Sequence, residues 1–212
     1  MALSTRVLSA DAKEAMIQAA RVLATGGLVA FPTDTVYGVG AHAFDADAIE
    51  RLYAAKERPR TMAIPVLLAS VTGLPLAARE VPPVAQRLAG AFWPGALTIV
   101  LPRQPALPLV LTAGGDSVAV RVPDHPVTRA LIAALGAPLA ATSANISGQP
   151  SPVTADEVAA QLGGRVDLIL DGGPCPGGVP STLLDLTCEP PCLLRAGPVA
   201  DRTLRAMVPD LK

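Results

Sequence analysis

Aromatic side chains make up only 3% of this 212-residue chain, so its core must come from aliphatic residues, in a sequence that is 50% hydrophobic. Charge is thin as well, at 17% against the roughly 25% of average proteins. It is also balanced, with 17 Lys and Arg against 18 Asp and Glu. A surface that tracks a nucleic-acid backbone needs dense positive charge, so this balance argues against one, although a local basic patch is still allowed. Lysine occurs only at Lys13, Lys56 and Lys212, and histidine only at His42 and His125. The three cysteines are Cys175, Cys188 and Cys192, and the last two are separated by Glu-Pro-Pro with no histidine nearby. That spacing does not make a zinc knuckle, and all three read as unpaired structural thiols of a reducing cytosol. No run of 18 uncharged apolar residues occurs, and the N-terminus lacks the basic-then-apolar pattern of a leader. A soluble, cytoplasmic chain is expected, with no membrane partner.

Missing motifs narrow the chemistry further. There is no Gly-x-x-x-x-Gly-Lys-Ser/Thr loop, no Gly-x-Gly-x-x-Gly after a strand and no Gly-x-Ser-x-Gly. A P-loop nucleotidase, the standard dinucleotide fold and a serine hydrolase elbow are thereby set aside. No paired His, Cys and carboxylate set suggests a permanent metal.

What is present reads as interleaved strands and helices. Residues 10–25 form a helix with Ser9 as N-cap and Gly26-Gly27 as the stop. The apolar run 28–31 is a buried strand ended by Pro32. A second helix starts at Asp45 or Asp47 and runs to Lys56. Strands follow at 64–68, 97–101, 117–122, 138–142, 168–170, 181–186 and 192–195. Helices are expected from Pro83 to about Ala91, over 126–135, after a Thr154/Glu157 capping box, and over 201–207. Several strands follow one another without a helix between them. The fold class is therefore α/β with a mixed parallel and antiparallel open sheet, in one domain spanning 1–212.

Polar stations punctuate this pattern. Phe31-Pro32-Thr33-Asp34-Thr35-Val36-Tyr37-Gly38-Val39-Gly40 puts three hydroxyls and a carboxylate at a strand end, closed by glycines that would let backbone approach a ligand. Lys56-Glu57-Arg58-Pro59-Arg60 gathers three cations at a helix C-terminus, as either a dipole-favoured cap or a phosphate clamp. Strand alternation aims Ser117, Ala119 and Arg121 at one face and Val118 and Val120 at the other. His125, between Asp124 and Pro126, reads more readily as a turn residue than as a base. Residues 141–152 form the densest hydroxyl and amide loop, and Ser181-Thr182 and Arg195-Ala196-Gly197 repeat the theme at strand ends. Hydroxyls, a lysine and two or three arginines suit positioning and charge neutralisation at phosphate better than proton shuttling.

These stations, together with FWPGALTIVL, STLLDLT and LLRAG, resemble the YrdC/TsaC family of L-threonylcarbamoyladenylate synthases from about residue 9 to 198. The resemblance implies a twisted mixed sheet with flanking helices and a deep, positively lined cavity. It implies nucleotidyl transfer: L-threonine, bicarbonate and ATP give threonylcarbamoyl-AMP and pyrophosphate, for threonylcarbamoyladenosine at tRNA position 37. ATP enters as substrate with Mg²⁺, and no permanent metal or organic cofactor is implied. A downstream tRNA-threonylcarbamoyl transferase complex is the implied partner, with weak tRNA or double-stranded RNA binding as a further one. Carried over, Thr35, Arg121, Ala141 and Ser181 fall at the L-threonine site, and Arg58, Ser117, Ser143, Ser151 and Arg195 at the ATP site. Lys56, Arg58, Ser143 and Asn145 match the pairs tied to activity. The commoner family pattern has an Asn and a His where this chain has Met62 and Leu67. An RNA-binding module of the same fold is the alternative, and a carbamoyl-transfer relative from hydrogenase maturation is a third.

Overall fold

The computed structural model describes residues 4–212. In chain order the strands are β1 (Arg6–Ser9), β2 (Val29–Phe31), β3 (Gly38–His42), β4 (Val66–Leu67), β5 (Leu97–Pro102), β6 (Ser117–Arg121), β7 (Leu139–Ser143), β8 (Leu168–Asp171), β9 (Thr182–Asp185) and β10 (Cys192–Arg195). The helices are α1 (Ala15–Ala24), α2 (Ala46–Lys56), α3 (Leu74–Ala77), α4 (Pro83–Phe92), α5 (Pro126–Leu135), α6 (Ala155–Leu162) and α7 (Asp201–Met207). All ten strands join one sheet in the order β1-β8-β2-β3-β7-β4-β6-β5-β9-β10. Pairs β1/β8, β2/β8, β4/β6 and β5/β9 are parallel and the remaining five antiparallel, the mixed sheet the sequence predicts.

Helices α1 and α5 bury Leu23, Leu131 and Ile132 with Val29, Phe31, Leu139 and Leu168 of the sheet. A larger apolar cluster holds Ile49 and Leu52 of α2 and Leu88 of α4 with Val39, Val66, Ile99 and Val120. Full burial of such side chains is worth about 1.5–3 kcal/mol each. Helix α5 begins and ends where the sequence places it, stopped by Gly136 at φ 72°. The Thr154/Glu157 capping box also forms, with both reciprocal hydrogen bonds.

Two local expectations fail. Ser9 does not cap a helix from residue 10: it ends β1, paired with Asp171 of β8, and α1 starts only at Ala15. The four-residue β1 lies at the sheet edge with Val7 52% exposed, too short and too wet to show periodicity. The second failure concerns Gly38 and Gly40, which do not close a turn. They lie in β3, at the centre of the sheet between β2 and β7. A Cβ on Gly40 would sit 2.8 Å from the Ala140 carbonyl oxygen, so this glycine serves strand packing and not a ligand. Residues 32–37 are therefore the connection of an antiparallel β2–β3 hairpin.

Candidate active site

A cavity of about 600 Å³ opens on one face of the sheet, within the range of small-molecule sites. Strand alternation builds its wall. Ser117, Ala119 and Arg121 of β6 line it while Val118 and Val120 point into the core, as the sequence predicts. Thr98 and Val100 of β5 and Leu183 and Asp185 of β9 line it by the same rule, while the end of β7 contributes the consecutive residues Ala141, Thr142 and Ser143. The β2–β3 hairpin adds Thr33, Thr35 and Tyr37, the segment after α2 adds Arg58 and Met62, and the end of β10 adds Arg195.

Three arginines face this space, held in the same way. Arg58 donates from Nε to the Met62 carbonyl (3.1 Å) and from Nη2 to the Ala63 carbonyl (2.9 Å). Arg195 donates from Nε to the Ser181 carbonyl (3.0 Å) and from Nη2 to Ser181 Oγ (3.3 Å). Arg121 donates from Nε to the Gly95 carbonyl (2.9 Å) and from Nη2 to both Asp34 oxygens (2.6 Å each). In each, Nη1 has no protein partner among the described residues, so the fold orients the fork and leaves one donor nitrogen for a ligand. Desolvation lowers the Arg58 pKa, and desolvation followed by the Arg121 charge lowers that of Arg195. Neither cation has a carboxylate partner among the described residues. Gly197 allows the Arg195 segment to press on Ser181: a Cβ there would meet the Pro180 carbonyl oxygen at 2.7 Å and the Ser181 carbonyl carbon at 2.8 Å.

The hairpin hydroxyls are ordered by their protons. Thr33 donates to the Val36 carbonyl (2.6 Å), which spends its one hydrogen. The 3.0 Å contact between Thr33 and Thr35 then has Thr35 as donor. Thr35 keeps its lone pairs for the cavity, a suitable acceptor for an amine. Tyr37 donates to the Gly173 carbonyl (2.7 Å), and burial pushes its pKa up to about 12, so it serves as a fixed strut.

Lys56 and Asn145 stand apart from the other expected site residues. Thr35, Arg58, Ser117, Arg121, Ala141, Ser143, Ser151, Ser181 and Arg195 all line the cavity, but these two do not. Lys56 is 1% exposed, and its ammonium donates to the main-chain carbonyls of Ser143 (2.5 Å) and Asn145. Burial, and then the charge of Arg58, push its pKa down to about 8. Asn145 donates to the Ile146 and Gln149 carbonyls (2.8 Å each), and its Oδ1 is buried without a partner. The expected direct phosphate clamp at Lys56 is not how this side chain sits. It braces the segment after β7 from behind.

Sequence reasoning missed Asp34 as the partner of Arg121, 87 residues apart, and Thr98, which alternation along β5 could have found. Met62 and Leu67, the departures from the family pattern, both line the cavity and make part of its wall apolar. His125 is not in a turn: it is the N-cap of α5, in extended backbone at φ −139° and outside the cavity lining, and desolvation lowers its pKa. Cys175, Cys188 and Cys192 are free thiols. Among the described residues no helix is long and apolar enough to cross a membrane.

A sequence model of the Sua5/YciO/YrdC family, described as telomere recombination, matches residues 21–197. The chain is 45% identical over 194 residues to the threonylcarbamoyl-AMP synthase of Pyrococcus abyssi, covering 92% of this chain and 57% of that protein. It is 46% identical over 192 residues to the Bacillus subtilis threonylcarbamoyl-AMP synthase, covering 90% and 56%. The chain thus spans a little over half the length of these two relatives. Among solved structures, Pyrococcus abyssi Sua5 complexed with L-threonine matches with a TM-score of 0.91 at 41% identity, over 100% of this chain and 63% of that one.

Proposed function

The chain belongs to the Sua5/YciO/YrdC family, and from that premise we propose that it makes threonylcarbamoyl-AMP and pyrophosphate from L-threonine, bicarbonate and ATP. The observation that carries this reading is the shared site. A relative of the same backbone, Pyrococcus abyssi Sua5, has been solved complexed with L-threonine, and here the residues expected for L-threonine and for ATP line one cavity.

At one end, Arg121 Nη1 is the donor available to the L-threonine carboxylate, with Thr35 as acceptor for the amine, and Ala141 and Ser181 complete the pocket. At the other end, Arg58 and Arg195 face the phosphates, with the hydroxyls of Ser117, Ser143 and Ser151 around them. The amine condenses with bicarbonate to a carbamate and water. A carbamate oxygen then attacks the α-phosphorus in line, a new P–O bond forms, the bond to the β-phosphate bridge breaks, and pyrophosphate leaves. The carbamate is already an anion, so no strong general base is needed. Arg58 and Arg195 neutralise the charge that builds on the phosphoryl oxygens, and magnesium arrives with the nucleotide as part of the substrate. Lys56 acts through the Ser143 and Asn145 carbonyls, as a brace for the strand end that carries Ser143. The product is a labile mixed anhydride, destined for a tRNA-threonylcarbamoyl transferase complex.

Nothing favours the RNA-binding alternative, since the arginines in question face a cavity. Incubating the protein with ATP, L-threonine and bicarbonate tests the proposal: pyrophosphate release should require both L-threonine and bicarbonate. Release that ignores L-threonine, or none at all, would overturn it.

A further inference from the structure

We propose that Thr98 is a positioning residue that aims the Ser181 hydroxyl at the cavity ligand, so that Thr98, Ser181 and Arg195 work as one hydrogen-bonded unit between the amino-acid and phosphate ends. The inference deepens the reading above and rests on L-threonine being the ligand.

Thr98 lines the cavity from β5 and is 4% exposed, and Ser181 beside it is 6% exposed. Their hydroxyl oxygens are 2.7 Å apart. Thr98 Oγ1 has no other protein partner among the described residues, and Ser181 Oγ accepts from Arg195 Nη2 at 3.3 Å. Proton accounting then restricts what the pair can offer. A hydroxyl has one proton and two lone pairs. Arg195 fills one lone pair of Ser181. If Thr98 donates, the second is filled, and the Ser181 proton is the unspent one, free for a ligand oxygen. A hydroxyl that accepts from a guanidinium and from a second hydroxyl is a stronger donor than an isolated one. An anionic ligand therefore selects this orientation. Without the Thr98 hydroxyl, Ser181 keeps a free lone pair and its O–H can turn away.

The test uses the full chain and five variants: Thr98→Val, Thr98→Ala, Thr98→Ser, Ser181→Ala and the double variant Thr98→Val/Ser181→Ala. L-threonine affinity is measured by calorimetry, and KM for each substrate by pyrophosphate release. Thr98→Val should weaken L-threonine about tenfold, with KM for ATP changed by no more than about twofold. Thr98→Ser should restore affinity to within about twofold of wild type. Because Thr98 acts through Ser181, the double variant should bind no more weakly than Ser181→Ala alone. Thr98→Ala makes no demand on space and should show the same loss as Thr98→Val. Unchanged L-threonine affinity in Thr98→Val and Thr98→Ala, no recovery in Thr98→Ser, or fully additive losses in the double variant would overturn the inference. Wild type that binds no L-threonine would instead defeat the functional reading, and this inference with it.

Discussion

The two ends of the cavity are built from the same residue type and differ in how its charge is met. Arg121 meets a carboxylate, with both Asp34 oxygens 2.6 Å from Nη2. Among the described residues, Arg58 and Arg195 donate only to carbonyls and one hydroxyl. The first end is a neutral pair with one donor nitrogen left over, which suits an amino-acid zwitterion. The second is a pair of desolvated cations without a counter-ion, which suits a polyanion. On the proposed reading, the fold sorts its two substrates by the company it gives each arginine. Arg121 and Arg195 are also close enough for one charge to depress the other, as expected if both reactants must meet between them.

The comparison can be broken most severely at the cationic end. Arg58→Ala should cut threonine-dependent pyrophosphate release by about 100- to 1,000-fold. Its melting temperature should stay near wild type, because the side chain spends only two hydrogen bonds on a surface segment. Lys56→Met comes next and acts on stability. It leaves the Ser143 and Asn145 carbonyls without their donor, a loss of about 1–3 kcal/mol in denaturant unfolding. Its pH dependence has a defined sign. The buried ammonium releases its proton at about 8 against the ordinary 10.5. Between those values the unfolded chain binds more protons than the folded one, so stability rises with pH. The margin of wild type over Lys56→Met should therefore widen from about pH 8 upward and level off near 10.5.

At the neutral end, Asp34→Asn removes the charge and keeps the shape. KM for L-threonine should rise about tenfold through a looser Arg121, while KM for ATP and kcat stay within about twofold. Smallest is Met62→Ala, on a side chain 49% exposed at the rim. Its stability should move by less than about 0.5 kcal/mol, and an ATP KM within about twofold of wild type would show that the apolar rim contributes little.

Much of the frame was legible in the sequence because it rests on local rules. Helix α5, the Thr154/Glu157 box and the Ser117-Ala119-Arg121 face follow from capping and from a period of two. Strand β3 was not legible, since Gly38 and Gly40 look like turn residues until β2 and β7 close on both sides. Edge strand β1 was hidden by its length. At the site, the family resemblance pointed to nine of the lining residues, yet two facts needed tertiary structure. Lys56 looked like a free cation at a helix end, and only the approach of the segment after β7 reveals that its charge is spent behind the wall. The Asp34–Arg121 pair joins residues 87 apart, and no local pattern announces it.

The claim that the two ends differ in net charge is tested most directly by calorimetry of both ligands against salt. Titrating L-threonine and ATP separately into the protein from about 0.05 to 0.5 M ionic strength shortens the Debye length severalfold. ATP affinity should fall steeply over that range, while L-threonine affinity stays within about twofold. Equal salt dependence for the two ligands, or a steeper one for L-threonine, would contradict the account.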